Sequence, residues 1–129
     1  MDRFIAIDNQ IELIDTIVNS LNNIVKLLLE VETKLITISI IDTIAQILKF
    51  ISKIIKLLPI LIYGNNNYIK QREEIIKQFE LVIDSWIDFN KNPIEFVKNW
   101  NIFVYNWNEI KLILKDLSNS RNTIFLSLN

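Results

Sequence analysis

The sequence predicts an all-α protein, an antiparallel four-helix bundle with short loops and a C-terminal tail that docks on the bundle. Three observations lead there. Large apolar residues recur at alternating three- and four-residue spacing in four blocks, as in a heptad seam. Glycine and proline are almost absent, with one Gly and two Pro in 129 residues, which leaves few tight turns for an all-β or Rossmann-type fold. The convincing loop signals stand between the apolar blocks rather than inside them.

The first helix is expected from about Asn9 to Leu35, with Asp8 as N-cap. Its seam is Ile11, Ile14, Val18, Leu21, Val25 and Leu28. Ile17, Ile24 and Val31 form a second row that widens the apolar arc to about half the helix. Glu32 falls inside that arc and reads as the frayed helix end. The periodicity breaks at Thr37-Ile38-Ser39, where Leu35 to Ile41 alternates like a short strand. A turn is the better reading, because Ser39 and Asp42 form a capping signature for the next helix.

The second helix is expected from about Ile40 to Tyr63. Gly64 stands where a left-handed C′ residue is wanted, and Pro59 should kink or tighten the last turn. Asp42, Gln46, Lys49, Lys53 and Lys56 form a narrow polar stripe on a largely apolar surface. Asn65-Asn66-Asn67 is the clearest loop, with Asn67 as cap of a third helix over about Tyr68 to Phe89. Its core row is Ile76, Phe79, Ile83 and Trp86, flanked by Ile75, Val82 and Phe89. The fourth helix opens on Asn92-Pro93-Ile94-Glu95, an N-cap, a proline at N1 and an acid at N3. Its ladder is Phe96, Trp100, Phe103, Trp107, Ile110, Leu114 and Leu117, where the helix should end. Residues 118–129 then form a tail that closes on an apolar patch. Asn99-Trp100-Asn101 recurs as Asn106-Trp107-Asn108 one heptad on, which puts both tryptophans on one stripe.

Chemistry is much less legible than fold. There is no histidine and no cysteine, so the usual nucleophile–base pairs and thiolate metal sites are missing. Ser52 and Lys53 are adjacent and face different ways on a helix. Glu73, Glu80, Asp84 and Asp88 share a face, but their spacing misses the E-x-x-E…E-x-x-D pattern of all-α nucleotide pyrophosphohydrolases. Di-iron bundles need Glu-x-x-His. The acidic row therefore reads as a solvated face, and neither metal nor cofactor is expected. Fourteen basic and fifteen acidic side chains, with three arginines, leave no footprint for nucleic acid. Trp100 and Trp107 read as core residues rather than a stacking platform, since no basic residue shares their stripe.

What remains is apolar surface in excess. Half the residues are hydrophobic, 22% are charged, and the mean hydropathy is +0.27. Beyond its seam the fourth helix carries Ile94, Ile102, Tyr105, Leu112 and Ile113, a candidate interaction surface. Lys49, Lys53 and Lys56 form a candidate basic edge, read either as snorkelling lysines or as a membrane-surface contact. The expectation is a non-enzymatic interaction or structural protein that self-assembles as a homo-oligomer or binds another protein. The alternative is a membrane-surface or membrane-active bundle, immunity-like or pore-forming. No signal peptide and no spanning segment of ~18 apolar residues is seen, so an intracellular location is expected, in the host cytoplasm if the protein is viral. The dominance of Ile, Asn and Lys points to an AT-rich genome, as in a virus, a phage, a mobile element or a low-GC microbe.

Overall fold

The computed structural model describes the backbone of residues 2–30, 37–58 and 66–128, and the side chains of 8–30, 37–58 and 66–116. Four helices run in order: α1 (Asp2–Glu30), α2 (Ile38–Lys56), α3 (Asn66–Ile87) and α4 (Pro93–Leu128). No strand occurs among the described residues; of the link considered over Leu35 to Ile41, residues 38–41 are helical and 35–36 lie outside the described residues.

The helix ends are set by which backbone groups find partners. α1 starts six residues before the expected cap, and Asp8 lies inside it. Nothing between Asp2 and Asp8 is a helix breaker, and Phe4 and Ile7 continue the apolar spacing in the sequence. Its expected end near Leu35, including Glu32, lies outside the described residues. α2 is capped by Thr37, not by Ser39. Thr37 has extended backbone (φ −76°, ψ 160°) and its hydroxyl accepts from the Ile40 N–H at 3.2 Å. Capping two residues earlier adds the Ile41 N–H to Thr37 carbonyl bond at 3.1 Å and satisfies one more orphan donor.

The last turn of α2 tightens ahead of Pro59, as expected. The helix ends at Lys56, and the Leu57 and Leu58 amides tighten onto Ile54 and Ile55, three residues back. The residue before a proline is driven out of the α region, so continuation is blocked. The expected run to Tyr63 and the Gly64 C′ lie outside the described residues. The carbonyls freed at this end are taken up by side chains. Arg72 donates to Lys56 O at 2.9 Å and to Leu58 O at 3.3 Å, and Gln10 donates to Leu57 O at 3.3 Å.

α3 includes Asn66 and Asn67 in its first turn, so Asn67 does not cap it. It ends two residues short of Phe89, which stays buried. α4 begins as expected: the Asn92 carboxamide oxygen accepts from the Glu95 N–H at 3.3 Å, with Pro93 first in the helix. It does not stop at Leu117. The helix continues to Leu128, because the polar stretch Ser118–Asn122 contains neither glycine nor proline. The side chains of that last stretch, and with them the expected docking of the tail, lie outside the described residues.

The helices close into a ring in which α1 packs on α2, α2 on α3, α3 on α4 and α4 on α1. Hydrogen bonds show each neighbour antiparallel to the next. Gln10 near the start of α1 reaches Leu57 after α2; Trp86 near the end of α3 donates its indole N–H to Ile41 O early in α2 at 2.9 Å. Gln78 donates to Asn99 O at 3.2 Å, tying the middle of α3 to the first half of α4. The α3–α4 seam is the most extensive and α1–α2 the least.

The core is aromatic on the α3–α4 side. Phe79 meets Phe103 edge-on with centroids 4.6 Å apart, and Trp86 meets Phe96 at 4.9 Å. Six members of the α4 ladder, Phe96 to Leu114, are all buried. On α3 the innermost row is Ile75, Phe79, Val82 and Trp86, while Ile76 and Ile83 are only partly buried. The expected row is thus one residue off at two positions. α3 is turned toward α4, its larger neighbour, which also buries Gln78.

Trp107 is fully buried. Replacing it with alanine should cost about 3–5 kcal/mol. Urea denaturation checks this; a loss under ~1 kcal/mol would place the indole outside the core.

Candidate interaction surface

The candidate surface is what the ring leaves uncovered, so the inward side comes first. A buried indole N–H needs an acceptor, since an unpaired buried donor costs about 1–3 kcal/mol. Trp107 donates to the Asp15 carboxylate at 3.0 Å and Trp100 to the Asn22 carboxamide oxygen at 3.1 Å. Lys111 adds an ion pair to the same Asp15 oxygen at 2.8 Å. Burial raises the Asp15 carboxyl, but the bonds from Lys111 and Trp107 outweigh it and hold the group below its ordinary value. No described buried side-chain nitrogen or oxygen lacks a partner. Sequence reasoning puts both tryptophans inside without finding Asp15, Asn22, Gln78 or Arg72. The recoverable signal is the match of heptads: Asp15 and Asn22 are seven residues apart beside the α1 seam, as the tryptophans are on α4.

The outward face of α4 carries the expected residues with one change. Ile94 is 78% exposed, Tyr105 65%, Leu112 59% and Ile102 39%. Ile113 is half-buried and packs against the core, so it drops out of the surface. α2 is better covered than its composition suggests. Ile44, Leu48, Ile51, Ile54 and Ile55 are buried, and its exposed large residues are Ile38, Ile40 and Phe50, with Leu57 exposed just after it. Lys49, Lys53 and Lys56 are exposed beside Phe50 and Leu57. Glu73, Glu80 and Asp84 lie on α3 and Asp88 in the turn after it, with no ion pair among the described residues joining them to those lysines.

An open depression of about 300 Å³ lies between α1 and α4, lined by Asp8, Ile11, Glu12, Asp15 and Lys115. No cluster of three or more His, Cys, Asp or Glu able to hold a metal occurs among the described residues. No described helix is long and apolar enough to cross a membrane. The chain matches no protein-family model, no curated protein and no solved structure.

Asp15 gives this geometry a pH signature. A carboxylate whose folded pKa is depressed contributes stability above its unfolded value, about pH 4, and loses it as pH falls through the folded value. Asp15→Asn keeps an acceptor for Trp107 but drops the Lys111 ion pair, at a cost of roughly 1 kcal/mol at pH 7. That difference should vanish in acid. Paired urea titrations at neutral and low pH check it, and a difference that persists at about pH 2 would contradict the assignment.

Proposed function

We propose that this chain is a non-enzymatic structural or interaction protein that self-assembles through apolar helix surface, with the outer face of α4 as its principal contact. The observation that carries the reading is that Ile94, Tyr105 and Leu112 stay in water on α4 although the four-helix core is already closed and its described polar groups are satisfied. A helix in a four-helix ring has two neighbours and should be polar on its outward arc. Large apolar residues there leave most of their surface in water. Burying ~400 Å² of such surface per subunit, at roughly 25 cal/mol per Å², offers about 10 kcal/mol before association costs. The abundance of Ile and Asn, with codons rich in A and T, supports an origin in an AT-rich genome, such as that of a virus, phage or mobile element.

A second reading rests on α2. Phe50 and Leu57 are 54% and 69% exposed, and Lys49, Lys53 and Lys56 stand beside them. That combination suits the surface of an anionic membrane, with apolar groups entering and lysines meeting head groups.

Light scattering on the eluting protein, run beside co-sedimentation with anionic vesicles, separates the two. Self-assembly predicts a mass of two or more chains at micromolar concentration and no vesicle binding. Ile102→Lys and Leu112→Glu should then give folded monomers with unchanged far-UV spectra. A wild-type chain that stays monomeric at high micromolar concentration would end the first reading; failure to bind vesicles would end the second.

A further inference from the structure

The outward face of α4 is not only apolar; its charges are arranged so that it complements itself in one orientation. At 100° per residue, Ile94, Lys98, Tyr105 and Leu112 lie within about 20° of the line opposite the core seam. Asn101 and Glu109 lie about 40° to either side of it. Lys98 and Glu109 have no ion-pair partner within the chain among the described residues.

We infer that α4 pairs with α4 of a second copy, antiparallel, about a two-fold axis that passes the helix near Phe103. The inference rests on the self-assembly reading above and names the partner and geometry of that same surface. In this arrangement Ile94 of each copy meets Leu112 of the other, and Lys98 of each meets Glu109 of the other. Tyr105 seats against Asn101 and Ile102. Each contact occurs twice, as an isologous interface demands. The flanks agree as well as the levels. Antiparallel helices bring like flanks together, as Asp15 and Trp107 do between α1 and α4. Ile94 and Leu112 share one flank of the outward line, Lys98 and Glu109 the other.

Charge decides the orientation. A parallel pair would also match apolar residues to themselves, but it would set Lys98 against Lys98 and Glu109 against Glu109. Like charges across an interface exclude a wrong arrangement more strongly than exposed ion pairs reward a right one. Ile94 and Leu112 are separated by about 27 Å along the helix at 1.5 Å per residue. Residue 94 therefore reaches residue 112 of the partner in the antiparallel pair and cannot reach its own counterpart.

The chain has no cysteine, so introduced thiols report geometry directly. Ile94→Cys and Leu112→Cys, both at exposed positions, are oxidised mildly, alone and mixed. Expected is a covalent dimer in the mixture and none in either variant alone. Lys98→Glu should weaken the dimer about tenfold at low salt, and Lys98→Glu/Glu109→Lys should restore it. Self-linking of either single variant would overturn the antiparallel arrangement. So would a wild-type dimer by light scattering with no cross-link in the mixture, or a Lys98→Glu dimer of unchanged affinity; these leave self-assembly standing. A wild-type monomer at every concentration would overturn both.

Discussion

Two fully buried tryptophans on one helix must find acceptors on another, and that requirement sets the register of this bundle. Trp107 takes Asp15 and Trp100 takes Asn22. Each pair lies one heptad from the other, counted forward on α4 and backward on α1. Sliding α1 by a single residue moves both acceptors about 1.5 Å along and 100° around, so both bonds fail together. The α3 side has its own tie: Gln78 meets the Asn99 carbonyl, and Asn99 reaches Leu81 O at 3.5 Å. Register around the ring is thus held by a few directional bonds laid over a non-directional apolar core.

That inward commitment determines what α4 can offer outward. Its ladder of aromatic residues is used up against α1 and α3, and Lys111 and Asn99 at the flanks are bonded to neighbours. Lys98, Tyr105 and Leu112 are exposed. The same separation explains why α2, the most apolar helix by composition, is not the main exposed surface. Its ladder from Ile44 to Ile55 is covered by α1 and α3, and the carbonyls freed before Pro59 are taken by Arg72 and Gln10.

Much of the fold is legible in the sequence because periodic spacing speaks for itself. The α4 ladder from Phe96 to Leu114 and its Asn92-Pro93-Ile94-Glu95 start are both found as expected, since each depends on local geometry alone. Boundaries that depend on competition fall elsewhere. Thr37 outcompetes Ser39 because the earlier cap adds a hydrogen bond, and the last turn of α2 tightens at Leu57 and Leu58 although both are apolar. The rotation of α3, with Ile75 and Val82 inside Ile76 and Ile83, depends on which neighbour packs harder, and no single-helix pattern encodes that. Of the surface, Ile94, Ile102, Tyr105 and Leu112 can be read as surplus from the helical wheel. Ile113 stands about 80° from the outward line of α4, close enough to the seam for the core to half-bury it. Asp15 is invisible, because an acid beside a seam acquires meaning only from the indole and ammonium opposite it.

The indole N–H region of a ¹⁵N–¹H spectrum, followed from neutral pH into acid, tests the register most directly. Three tryptophans give three signals. All three should exchange slowly with solvent, and the Trp107 signal alone should move as Asp15 takes up its proton, at a pH below the ordinary carboxylate range. Trp100 and Trp86, bonded to a carboxamide and a backbone carbonyl, should stay still while the fold persists. Rapid exchange of the Trp100 and Trp107 protons, or a Trp107 signal indifferent to acid until the protein unfolds, would contradict the account.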